Sequence, residues 1–239
     1  MSDLKVFIGW DSREPEAYEV ARFSLLRHVS IEAEVHPLKQ PELRAQGLYW
    51  REFDPIASTE FTYTRFLTPH LAGHCGWALF CDSDFLWCGD VGELLELADP
   101  GKALLCVQHD HRPTETVKMD GRVQTVYPRK NWSSLMLFNC DHPANRKLTP
   151  EVANGESGKF LHRMQWLADE EIGALPEAWN WLEGWCAKPA EGPPKAIHYT
   201  RGGPWFEQWQ AVDYADLWFA ERALMERGGA ESRPAAAGK

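Results

Sequence analysis

Residues 79–87 read "LFCDSDFLW". An apolar run that delivers two carboxylates, Asp82 and Asp84, and then turns apolar again has the form of a buried strand with a polar site at its end. Side chains two apart on an extended strand share a face, so the two carboxylates would converge on one side. Like charges that close repel, and solvent, a basic partner or a cation has to compensate.

Outward from this stretch, short β-rich runs alternate with helical patterns. "LKVFIG" (4–9) predicts a strand, and "PEAYEVARFSLLRH" (15–28) keeps helical spacing at Ala17, Val20, Ala21, Ser24, Leu25 and His28, with Pro15 suited to a first turn. "AEVHPL", "WALFCD", "ALLCVQH" and "SLMLFN" predict further strands. "FTYTRFLTPHL" predicts a helix interrupted near Pro69, and 211–227 a final helix. The alternation favours an α/β fold in one domain over residues 1–227. Residues 228–239 contain no large apolar residue and are expected to form a disordered tail. The polar stretch between the last two strands (109–131) is expected to be a functional excursion.

Composition narrows the function. The chain has 239 residues, 44% of them hydrophobic, which is enough for one sizeable core. A net charge of -10 argues against a general nucleic-acid binder. The N-terminus lacks a signal-peptide core, and no apolar run reaches the length of a membrane span, so a cytoplasmic protein without an integral membrane segment is expected. The 6 cysteines form no CxxC pair and are expected to be reduced and buried. "HDH" (109–111) has no neighbouring ligand cluster and is taken as loop polarity. Of the 12 tryptophans, most belong in cores, with Trp181 or Trp205 expected at an acceptor side.

Asp82-Ser83-Asp84 at the end of a buried strand suits a hard divalent cation that bridges to substrate phosphates and neutralises a departing diphosphate. Four further segments lie in order around it: "VFIGWD", "FTYTRFLTPHL", "LADEEIGALPEAWNWL" and "AIHYTRGGPW". Together they resemble the nucleotide-sugar glycosyltransferases of the GT-A fold, and within them glycosyltransferase family 8, the retaining, galactosyltransferase- and glycogenin-like group.

The resemblance implies a single α/β domain of Rossmann type, with a mixed, mostly parallel sheet flanked by helices. It also implies transfer of a hexose from a nucleoside-diphosphate sugar, UDP-hexose above all, to an unidentified acceptor. Asp82, Asp84 and His198 would hold Mn²⁺ or Mg²⁺, with a backbone-satisfied strand histidine as the alternative for His198. Asp11 would touch the base or ribose, or cap the helix that starts near Glu14. Arg65 would reach the donor's phosphate or sugar. Asp169 would be a catalytic or sugar-holding carboxylate, although Glu170 stands where the family has glutamine.

Ser83, Arg201, Gly202, Gly203 and Trp205 complete the donor-binding set that the resemblance implies. Gly203 stands where the family has lysine, so a phosphate contact would fall to Arg201, to the backbone N–H groups of Gly202 and Gly203, or be absent. The altered small-residue strand motif leaves Asn131, Ser133 and Ser134 as possible equivalents. The 199–206 turn is expected to order mainly once donor and metal supply partners for its polar groups. No nucleophile with an activating base is evident, which favours front-face displacement over a covalent intermediate. Two other classes stay open: a haloacid-dehalogenase-type phosphatase, and a catalytically silent nucleotide-sugar-binding protein.

Overall fold

The structure is a computed structural model that describes residues 4–110 and 129–231. Nine strands occur among these residues: β1 (Leu4–Gly9), β2 (Ala33–Leu38), β3 (Trp77–Cys81), β4 (Phe85–Trp87), β5 (Leu104–Cys106), β6 (Leu135–Asn139), β7 (Ile172–Ala174), β8 (Trp181–Leu182) and β9 (Ala196–His198). Six build one sheet in the order β2-β1-β3-β6-β5-β7, and β4-β9-β8 form a second. In the large sheet β6 runs against both of its neighbours, while every other pairing is parallel. The sheet is therefore mixed and mostly parallel, as expected.

Alternation along the strands distributes the core over both faces of this sheet. Phe7, Ala78, Phe80, Leu104, Met136 and Phe138 join one cluster. Val6, Ile8, Leu79, Cys81, Leu105, Leu135 and Leu137 join the other. Because both faces are covered, β3, β5 and β6 read as unbroken apolar runs rather than alternating ones.

Helix α1 (Pro15–His28) starts at its proline and buries Ala17, Tyr18, Val20, Ala21, Ser24 and Leu25, close to the predicted stripe. Ser24 Oγ accepts from the N–H of Trp87, which ties this helix to β4 just beyond the aspartates. A third cluster joins Val20, Leu86, Trp181, Ile197, Tyr199 and Trp218 between α1, the small sheet and the last helix, Ala215–Glu231.

Several expectations change. The segment around Arg65 forms a 3₁₀ turn, Thr64–Leu67, followed by a short helix, Thr68–Leu71, so the break precedes Pro69. The last helix starts at Ala215 rather than 211 and runs to Glu231 rather than ending at 227. The rest of the expected tail (232–239) and most of the expected excursion (111–128) lie outside the described residues. Cys81, Cys106 and Cys140 are buried thiols, but Cys75 is exposed and Cys88 and Cys186 are half-buried. Trp181 is 1% exposed and packs in the third cluster, so it is a core residue rather than an acceptor platform. Among the described residues no helix is long and apolar enough to cross a membrane.

Candidate functional site

Strand β3 ends at Cys81, so Asp82 and Asp84 do not share the face of one strand as the alternation predicted. They sit in a turn between two sheets, and main-chain bonds aim them. The N–H of Asp82 donates to Ser134 O (2.9 Å), and Asp84 O accepts from the N–H of Tyr199 (3.0 Å). β4 begins at the next residue, where Phe85 pairs with His198 on β9. The rings of Phe85 and His198 stack with centroids 4.4 Å apart. Convergence is reached by this fold-back: ligand atoms of Asp82, Asp84 and His198 all lie within 4.8 Å of one another.

The His198 ring is held from behind. Asn180 Nδ2 donates to Ser134 Oγ (2.9 Å) and reaches Asn131 O (3.5 Å), which leaves Asn180 Oδ1 to face His198 Nδ1 at 2.8 Å. Nδ1 therefore donates, and Nε2 is presented to the acid pair. Nε2 lies 3.2 Å from Asp84 Oδ1. That oxygen is buried and makes no aligned hydrogen bond. A neutral imidazole lone pair facing a carboxylate lone pair is unfavourable unless a proton or a cation lies between them. Two carboxylates and an imidazole of this tautomer fit a divalent cation of the manganese type.

Arg65 supplies the basic partner. Its Nη1 donates to Asp82 Oδ1 (2.7 Å) and to Ser133 O (2.8 Å), and its Nε donates to Phe61 O (3.3 Å). The guanidinium is 5.0 Å from the Phe80 ring. Arg65 thus reaches the site through Asp82. Burial pushes the Asp82 carboxyl up against the pull of Arg65, with the Asp84 charge adding to the rise. Burial also opposes ionisation of Asp84, but the facing His198 ring, with the Arg65 charge behind it, outweighs it and holds that carboxyl below its ordinary value. The two environments split the pair. Side-chain exposures of 15% and 22% leave both acids reachable from outside.

Asp11 is 1% exposed and lies beyond the end of β1. Its Oδ1 accepts from the main-chain N–H and Nε of Arg13, and its Oδ2 from Arg13 Nη2 and the N–H of Glu60. These bonds outweigh burial and lower its carboxyl below the usual range. They also fill the carboxylate's four acceptor positions. The cap position of α1 is Glu14, without a side-chain cap bond, so Asp11 organises its loop and does not cap the helix.

The C-terminal turn also has partners within the chain. Arg201 Nη2 donates to Glu183 Oε2 (2.9 Å), with the Glu183 side chain 4% exposed. The N–H of Gly202 donates to Tyr199 O. Trp205 packs on Tyr199 and Trp218, and its Nε1 donates to Glu14 Oε2 (3.2 Å). The polar groups of this turn thus have partners within the chain, and Trp205 packs against the third cluster. Ser83 is 3% exposed beside the acids. Asp169 is not among these converging side chains; it is 83% exposed and paired with Arg129.

Three residues were missed in the sequence. Asn180 orients His198, and Glu183 holds Arg201. Glu14 carries a carboxyl pushed up to about 7 by burial and by the charges of Asp84 and Asp11. Asn180 lies inside "LPEAWNWL", which gave it a segment but no partner.

Comparison with known proteins adds the fold. Solved structures similar to this chain include the WbbM bifunctional glycosyltransferase (TM-score 0.64, 16% identity, 93% of this chain and 50% of that one). They also include the glycosyltransferase GlyE of Streptococcus pneumoniae (0.58, 16%, 98% and 65%). A third is the galactosyltransferase LgtC, solved in complex with donor and acceptor sugar analogs (0.58, 12%, 92% and 95%). The chain thus spans half of WbbM and about two thirds of GlyE, and what it shares with all three is the GT-A glycosyltransferase fold. No protein-family model matches the chain. Protein CDI of Arabidopsis thaliana is 54% identical over 221 residues, which span 91% of this chain and 85% of that protein. At that identity and coverage the chain belongs to the family of Protein CDI.

Proposed function

We propose that this protein is a metal-dependent glycosyltransferase of family 8 type, which moves a hexose from a nucleoside-diphosphate sugar, UDP-hexose first, to an acceptor with retention. The observation that carries this reading is the convergence of Asp82, Asp84 and a tautomer-fixed His198 within 4.8 Å at the end of a buried strand of a GT-A sheet. These three residues would hold Mn²⁺ or Mg²⁺. When bound, the cation neutralises the charge that builds on the departing diphosphate.

The chain's own groups supply the rest. Arg65 fixes the Asp82 carboxylate in place and opposes the rise that burial imposes on it. Asn180 keeps Nε2 of His198 directed at the site. In the transfer, the bond from the anomeric carbon to the diphosphate oxygen breaks and a bond to the acceptor hydroxyl oxygen forms on the same face. The hydroxyl proton passes to the departing phosphate oxygen. Asp169 is the candidate to hold the sugar, and it must leave Arg129 to do so.

A catalytically silent donor-binding protein is the second reading, favoured by one observation: Arg201, the candidate to replace the missing lysine, is committed to Glu183. None of the similar folds described above is a dehalogenase-type phosphatase. Calorimetry of UDP binding with and without Mn²⁺ tests the metal bridge, and equal affinity in both conditions sinks it. A donor screen that follows UDP or GDP release separates the two readings, since a silent protein binds and releases nothing.

A further inference from the structure

The sequence offered "HDH" (109–111) without partners; the fold supplies them from far along the chain. His109, Glu177 and Cys186 bring a ring nitrogen, a carboxylate oxygen and a thiol sulfur within 4.8 Å of one another. They share no residue with the Asp82–Asp84–His198 group. We propose that these three side chains form a second metal site, of zinc type, with no ligand in common with the donor site.

The donor sets sort the two sites. Two carboxylates and an imidazole favour a hard cation, whereas nitrogen, oxygen and thiolate together suit Zn²⁺, which takes such mixed sets tetrahedrally. Ligands on a tetrahedral zinc stand about 3.5 Å apart, so the trio needs only a side-chain adjustment of about 1 Å to close on the ion. Three protein ligands leave the fourth position to water.

Each ligand is fixed by its own backbone. Trp132 Nε1 donates to His109 O (3.0 Å). Glu177 opens a 3₁₀ turn behind Pro176, and the N–H of Asn180 closes on Glu177 O (3.0 Å). The N–H of Cys186 donates to Leu182 O (2.9 Å), and Trp181 Nε1 holds Ala187 O (2.9 Å) one residue further on. The Cys186 thiol is half-buried and keeps its proton, pushed up to about 11 by burial, with the Glu177 carboxylate reinforcing this through a side-chain bond. Zinc binding therefore releases the thiol proton to solvent as the sulfur–metal bond forms. Glu177 and Asn180 belong to one turn and Cys186 follows β8, so the ion would pin the small sheet to the segment leaving β5.

Cobalt reports this chemistry directly. The full-length protein is titrated with Co²⁺ in excess Mg²⁺; any Co²⁺ that enters the Asp82–Asp84 site meets no sulfur there and gives no thiolate band. The expected result is one tetrahedral Co²⁺ per chain with a thiolate-to-cobalt charge-transfer band. That band should disappear in Cys186→Ser and persist in Asp84→Asn, and His109→Ala should weaken Co²⁺ binding at least about tenfold. Glu177→Gln sits at an exposed position and cannot be lost to misfolding of a core; it should weaken binding in the same way. Absence of the band in the wild-type chain overturns the proposal. So does a band that survives Cys186→Ser, which would assign it to another thiol such as the exposed Cys75.

Discussion

His198 Nδ1 and Asn180 Oδ1 lie 2.8 Å apart, and the amide of Asn180 is itself fixed by Ser134 Oγ. A ligand imidazole whose rear nitrogen is held this way keeps one tautomer and one ring orientation, and loss of such a partner typically weakens metal binding 10–100-fold, to order of magnitude. Asn180→Ala is therefore expected to weaken Mn²⁺-dependent UDP binding by about that factor. Metal-independent UDP binding and the circular dichroism spectrum should be unchanged. Calorimetry at fixed Mn²⁺ reads this; an unaltered affinity removes Asn180 from the site.

Arg65 is a buried cation whose charge partner is Asp82. Removing one member of such a pair leaves the other buried and uncompensated, at a cost of about 3 kcal/mol or more. Arg65→Ala should lower the urea midpoint accordingly. Arg65→Ala combined with Asp82→Asn should recover part of the loss, because the stranded charge is gone. A double variant no more stable than Arg65→Ala alone contradicts this account.

The Arg201–Glu183 pair separates structure from binding. If Arg201 serves the donor phosphate, Arg201→Ala weakens UDP binding. If it serves Glu183, the same change strands a carboxylate that is 4% exposed and costs stability, about 2–3 kcal/mol. The geometry favours the second outcome, and Glu183→Gln in the Arg201→Ala background should restore the melting temperature. Gly184→Ala should act on the same pair. Its φ is +72°, and a Cβ there would lie 1.8 Å from Arg201 Nη2.

The chain should carry a pH-dependent stability term at His162. Its Nδ1 lies 2.8 Å from Ser133 Oγ and its ring sits against Phe66, and burial, aided by the Arg65 charge, pushes its pKa down to about 3 from the ordinary 6.5. Below pH 6.5 the unfolded chain takes up a proton that the folded chain refuses until about pH 3. The stabilisation is thus complete above 6.5 and is lost as the pH falls through that window. Urea unfolding from pH 7 down to pH 3 should show a one-proton slope in the wild-type protein that His162→Asn lacks. Parallel curves for the two proteins would remove His162 from the acid response.

What the sequence disclosed follows from element length. β1, α1, β3 and β6 are long enough for periodicity or an unbroken apolar run to declare them. β4, β7, β8 and β9 are two or three residues each. At that length no alternation can register, and pairing across the fold decides them; β5 is as short but lies inside the longer apolar run "ALLCV", which declares it. Asp82 and Asp84 are paired by their spacing, His198 joins them through resemblance, and the fold brings all three together. Asn180, Glu183 and Glu14 act through partners 18 to 191 positions away, and nothing in a local stretch reports such a pairing. Asp11 shows the converse: its position at a strand end suggested ligand contact, while its own neighbour, Arg13, occupies it.

The pairing of Phe85 with His198 has a consequence for biosynthesis. These residues are far apart in the chain, so the imidazole reaches the acid pair only once synthesis has passed residue 198. A nascent or truncated chain ending before residue 198 carries both aspartates but neither the imidazole nor β9, the strand that seats β4. Such a fragment cannot assemble the proposed donor site, whose three side chains would meet in one step with closure of the small sheet.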